Sequence, residues 1–155
     1  MRSWGNVSVM RSLAPFLVSL LLLAGCAPLL QTAPEPELPP AEAAPGVLVI
    51  AGSDGVPLLS AYLPLAAPPG SVVYEQSYTG KLSFSRFKNP QDFDALRRYL
   101  LAALEDAGWR VLEAATWEKP PSLFQTTVRV EKDGEQKVVV LRYENGSYSV
   151  EVREG

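Results

Sequence analysis

The 155-residue sequence contains no histidine. That absence removes the commonest general acid–base side chain and the commonest metal ligand. It contains one cysteine, so no intramolecular disulfide can form and a folded domain must rest on its core. Acidic residues are missing from the N-terminus, the first being Glu35. Basic residues are scarce there too, with only Arg2 and Arg11 before Cys26. The remainder carries 12 basic and 17 acidic residues, a balance of −5. This charge, without a basic patch, argues against nucleic acid as a partner.

Catalytic patterns are also lacking. There is no Gly-rich phosphate loop, no clustered metal ligands and no nucleophile elbow. Without histidine, a serine nucleophile would need lysine as its base. Lys81 lies near Ser77 and Ser83 in sequence, but in a hairpin it reads as a solvated lysine. Asp92 with Asp94, and Glu105 with Asp106, read as helix-terminal and surface carboxylates. Asp133-Gly134-Glu135 is too short for a calcium loop. The expectation is a non-enzyme with no cofactor and no metal.

What the N-terminus does contain is a targeting pattern. Arg2 and Arg11 are followed by the apolar run Leu13–Leu23, then by Ala24, Gly25 and Cys26. Leu23-Ala24-Gly25-Cys26 resembles a lipobox, the recognition sequence of bacterial lipoprotein signal peptides. The resemblance covers about the first fifth of the chain. It implies a diacylglyceryl group on the Cys26 thiol, cleavage before Cys26, and commonly an added N-acyl chain such as palmitate. It also implies a cell-envelope location, with the domain exported and held to a membrane by lipid. Two acyl chains suffice for stable anchoring where one does not. Translation from Met10 would give a more compact signal. Two other readings stay open: an ordinary secretory signal cut after Ala24 or Ala27, and an uncleaved membrane helix within the uncharged stretch Ser12–Pro34. A buried core helix is disfavoured, because the run is apolar all round and abuts a proline-rich tract.

Residues 26–46 follow as the lipidated cysteine and tether. Prolines at 28, 34, 36, 39, 40 and 45 oppose helix and central strand and favour extended polyproline II. The segment reads as a spacer rather than a docking motif for a proline-recognising partner. The domain organisation expected is therefore 1–25 signal peptide, 26–46 tether and 47–155 folded domain.

Within that domain, Val47–Ala51 and Val56–Leu65 flank a turn and read as an edge hairpin. Val72–Tyr78 and Leu82–Phe87 read as a second hairpin. A type I turn with left-handed Gly80 would pair Tyr74 with Phe84 and Gln76 with Leu82. One helix follows, with Asn89 as N-cap, Pro90 in its first position and Gly108 as C-terminal cap. Phe93, Leu96, Leu100, Ala103, Leu104 and Ala107 share one of its faces.

Asp133-Gly134 and Asn145-Gly146 are two-residue type I′ turn signals. Their geometry fixes the register of three strands. One face receives the rows Val128–Val139–Val152, Thr126–Leu141–Val150 and Phe124–Tyr143–Tyr148. The other receives Arg129–Val138–Arg153, Thr127–Val140–Glu151 and Gln125–Arg142–Ser149. A sheet with one apolar face needs a cover, and the amphipathic helix supplies it. The expected fold is α+β, a mainly antiparallel sheet with one helix packed on one face.

Among the aromatics, Trp117 is the candidate partner-binding residue, because it precedes the expected loop Glu118–Ser122, and such loops carry binding. The chain reads as a membrane-anchored envelope lipoprotein. Its non-catalytic domain would act as a protein-interaction or structural module with an envelope protein as partner. The competing reading is a small-molecule or lipid-binding lipoprotein, and a small hydrolase stands third.

Overall fold

The computed structural model describes residues 36–155. The signal-peptide and Cys26 expectations, and the first part of the tether, lie outside the described residues. Among the described residues no helix is long and apolar enough to cross a membrane.

The elements in chain order are β1 (Glu42–Ala43), β2 (Val72–Thr79), β3 (Leu82–Lys88), α1 (Phe93–Asp106), β4 (Arg110–Lys119), β5 (Leu123–Lys132), β6 (Glu135–Glu144) and β7 (Ser147–Glu154). They form one seven-stranded sheet in the order β1-β2-β3-β7-β6-β5-β4. The class is α+β. The sheet is mixed, because β1 runs parallel to β2 while every other neighbouring pair is antiparallel. Chain-consecutive β3 and β4 are not neighbours, and α1 carries the chain from one to the other.

The three C-terminal strands pair as their turns dictate. Asp133 and Asn145 both take φ 51°, followed by Gly134 at 82° and Gly146 at 81°, the positive pair of a type I′ turn. Val128–Val139–Val152, Thr126–Leu141–Val150 and Phe124–Tyr143–Tyr148 are cross-strand rows. The β3–β7 pairing extends them to Ser83, Ser85 and Phe87. All the valines and Leu141 in these rows are buried.

Helix α1 covers this face. Phe93, Leu96, Leu100 and Leu104 are its buried residues. The Phe93 ring lies 5.6 Å from that of Phe124, and the Tyr148 hydroxyl donates to the Gln91 carbonyl at 2.8 Å. The N-cap is Asp92 rather than Asn89: its Oδ1 accepts from Ala95 N at 2.7 Å. Asn89 is committed elsewhere, accepting from Gln91 N and donating to Pro69 O and Ser71 Oγ. The C-terminal end is as expected. Gly108 has φ 81°, Gly108 N donates to Glu105 O, and Trp109 N donates to Leu104 O. These are the paired bonds of a Schellman motif, with buried Trp109 and Leu104 as its apolar contact.

A second cover lies beside the helix. Residues 57–67 are not an edge hairpin; they make only isolated bridges, Ala51 to Pro57 and Leu58 to Ala66. Leu59, Leu63, Leu65 and Ala67 are buried in the same core as α1. This strap is held by polar side chains of the sheet face. Gln76 Nε2 donates to Leu58 O at 2.6 Å, Ser85 Oγ donates to Leu59 O at 2.8 Å, and Ala61 N donates to Ser83 Oγ at 3.0 Å. Tyr99 of the helix donates to Ala66 O at 3.2 Å, joining the two covers.

The strap explains why the β2–β3 register departs from expectation. Gln76 pairs with Ser85 and Thr79 with Leu82, around the two residues Gly80 and Lys81. Gly80 does not adopt the positive φ on which the expected turn depended. A shift between Val73 and Glu75 then places Val73 opposite Phe87. Ser83 and Ser85 point inward, opposite Val152 and Val150 of β7, and the observed register brings Gln76 beside Ser85 to meet the strap backbone.

The packed domain also begins earlier than Val47. Glu42 N donates to Ser71 O and Ala44 N to Val73 O, while Gly70 N donates to Pro39 O. Ala41 packs against the core. The last part of the expected tether therefore belongs to the fold.

Leu141 and Val140 are adjacent but face opposite ways, Leu141 buried and Val140 half-buried. Leu141→Ala should lower unfolding free energy by about 2–5 kcal/mol, and Val140→Thr by clearly less, in urea melts. Equal losses would mean that the two faces are equally buried. A chain starting at Glu37 should melt cooperatively, and one starting at Gly46 should be less stable by about 1–3 kcal/mol, having lost the backbone hydrogen bonds that join residues 39–44 to Gly70, Ser71 and Val73.

Candidate functional site

Strand β4 stands apart from the rest of the sheet. It runs for ten residues and pairs with β5 on one side only. Every residue from Leu112 to Lys119 is exposed. Among the described residues no strand pairs with its other edge. An unpaired edge presents a row of backbone donors and acceptors that can accept a further strand.

Trp117 lies on this strand, 55% exposed. The loop expected at Glu118–Ser122 is shorter than that. Strand β4 continues through Lys119, leaving only residues 120–122 before β5. Trp117 pairs with Gln125, in the row that continues through Arg142 and Ser149, on the face away from the helix. Glu113 and Ala115 share that face, and Glu113 lies 3.8 Å from Arg129. Thr116 faces the other way and shares a 2.9 Å hydrogen bond with Thr126. Nothing local in the sequence marks β4 as an edge; only the strand order does.

A groove of about 660 Å³ lies where the N-terminus of α1 meets the sheet. Phe93, Phe124, Tyr143 and Tyr148 line it, with Asp92, Asp94 and Glu118. The volume is within the ligand-pocket range. Two of its carboxylates have structural partners: Asp92 caps the helix and Asp94 pairs with Arg97 at 3.2 Å. A smaller hollow of about 310 Å³ on the opposite face is lined by Tyr74, Phe84, Arg86 and Arg142. Arg86 is paired there with Glu75 at 2.8 Å.

The residues weighed for catalysis do not converge. Ser83 is buried on the inner face, while Ser77 pairs with Phe84 and is exposed, so Lys81 has no serine pair to activate. Glu105 and Asp106 are exposed at the end of α1. Among the described residues no group of three His, Cys, Asp or Glu side chains is placed to hold a metal ion.

Burial pushes the Tyr148 phenol up to about 12, aided by Tyr143 and then by Asp92. Unfolded, the phenol ionises near 10. Its contribution is therefore fully present below pH 10 and is lost as pH rises toward about 12. Tyr148→Phe should flatten the fall in stability across this window, as read by thermal melts at stepped pH. An unchanged slope would show that the phenol does not stay neutral in the folded state.

No family model, curated protein or solved structure matches the chain.

Proposed function

We propose that this chain is a bacterial envelope lipoprotein, anchored through lipid on Cys26, whose non-catalytic α+β domain is a protein-interaction module. The anchor reading rests on Leu23-Ala24-Gly25-Cys26 at the end of an apolar run. The interaction reading rests on the open edge of β4, ten residues long and bearing exposed Trp117. An exposed indole beside unpaired main-chain groups offers both the apolar contact and the hydrogen bonds that strand addition uses. A ligand-binding role is the second reading, favoured by the aromatic groove at the start of α1.

Two measurements test the proposal in the native host. Intact mass should give a mature chain beginning at Cys26 with added acyl mass; a different first residue, or no acyl mass, removes the anchor. A photoreactive amino acid replacing Trp117 should give a discrete protein adduct in intact envelopes. The same probe at exposed Arg98 on α1 should not. Equal labelling at the two positions would remove β4 as the interaction surface.

A further inference from the structure

We infer that the partner of β4 is β4 of a second copy of this chain, paired antiparallel about a two-fold axis at Thr116; this deepens, and rests on, the protein-interaction reading.

The available stretch has defined limits. The β4–β5 register shifts between Val111 and Glu113, so regular strand begins at Glu113. Strand β4 ends at Lys119, and Pro120-Pro121 follows. Proline lacks the N–H that a ladder needs. The regular window is therefore Glu113–Lys119, with Thr116 at its midpoint. Both faces of the window are exposed, so no described element blocks an approaching strand.

Backbone direction within the window follows from the ladder. Asn145 N donates to Ser122 O at 3.3 Å, which continues the β5–β6 pairing one step past Leu123–Glu144. Antiparallel pairs alternate between bonded and non-bonded. Ser122, Phe124 and Thr126 therefore direct their main chain toward β6, and Gln125 and Thr127 toward β4. Trp117 and Ala115 are their bonded partners. Ala114, Thr116 and Glu118 are left with N–H and C=O groups aimed at the open edge.

A two-fold axis normal to the sheet keeps each face on its own side. Placed at Thr116, it sets Thr116 against its own copy, Ala114 against Glu118, Ala115 against Trp117, and Glu113 against Lys119. The three even-numbered residues meet as bonded pairs, giving roughly six main-chain hydrogen bonds. On the outer face each Trp117 indole lies over the small Ala115 of the other copy. Glu113 and Lys119 then stand directly opposite, at about 5 Å between Cβ atoms. Both opposite-charge pairs form, one on each side of the axis. Axes at Ala114 or Ala115 run the pairing across the irregular start of β4. An axis at Trp117 sets Ala114 and Glu113 against the prolines. Only Thr116 uses the whole window, and only there do its terminal charges meet as opposites. A heterologous partner would give no reason for that symmetry.

The test is sedimentation equilibrium of the full chain in density-matched detergent, up to about 1 mM protein. The wild type should show a reversible monomer–dimer equilibrium. Glu113→Lys and Lys119→Glu should each weaken it by about tenfold or more, since like charges then face each other twice. An equimolar mixture of the two variants should recover wild-type affinity to within about threefold, because each reversed charge then meets the other. Matching thermal melts for all three proteins exclude unfolding as the cause, including any effect of the nearby Arg129. A chain monomeric throughout, or a mixture that fails to recover, overturns the second copy. If position 117 still crosslinks to a different envelope protein, the interaction reading survives that failure. If no protein adduct forms there, both fall.

Discussion

The structure depends on burying one face of the sheet. Valines, Leu141, Phe87 and Tyr148 line that face in continuous rows from β5 to β3. A single fourteen-residue helix spans about 21 Å, too little to shield seven strands. The strap closes the remainder with Leu59, Leu63 and Leu65. Because the strap is irregular, its carbonyls and amides need partners that a helix would satisfy internally. Gln76, Ser83 and Ser85 provide them from within a mainly apolar face. Buried polar groups of this kind are stable only when paired, so strap and sheet fix each other's position.

The two edges of the sheet are treated differently. One ends in β1, two residues long. A short edge offers little for another chain to extend. The other ends in β4, ten residues long and exposed on both faces beyond its first turn of chain. The irregularity near Val111 and the prolines after Lys119 shorten its usable length without removing it. The asymmetry follows from the route of α1, which carries the chain from β3 to the far side and leaves β5, β6 and β7 to fill the gap by successive hairpins.

The outer face carries Arg129–Glu113, Arg86–Glu75 and Arg153–Glu151 pairs, all largely solvated, which contribute solubility more than stability. Lys137 is the exception. It projects from the inner face, 5.4 Å from the Tyr62 ring of the strap and 2.6 Å from a Glu135 oxygen. Its stem is buried while its ammonium reaches a carboxylate at the rim.

Local chemistry in the sequence was enough for the C-terminal half of the sheet. Asp133-Gly134 and Asn145-Gly146 admit the positive φ values that only a few residue types tolerate, and a two-residue turn allows one register. Gly108 ended the helix for the same reason. The start of the helix was decided by tertiary contacts: Asn89 and Asp92 can both cap, and Asn89 was taken by Pro69 and Ser71, twenty and eighteen residues away. The β2–β3 register was decided the same way, since Gln76 and Ser85, which pair across it, both bond strap carbonyls eighteen or more residues away. Trp117 could be picked out as an exposed aromatic, but its place on an open edge could not, because an edge is defined by which strand is missing beside it. That is a property of strand order, set by long-range pairing and by the path of α1, and no stretch of β4 itself encodes it.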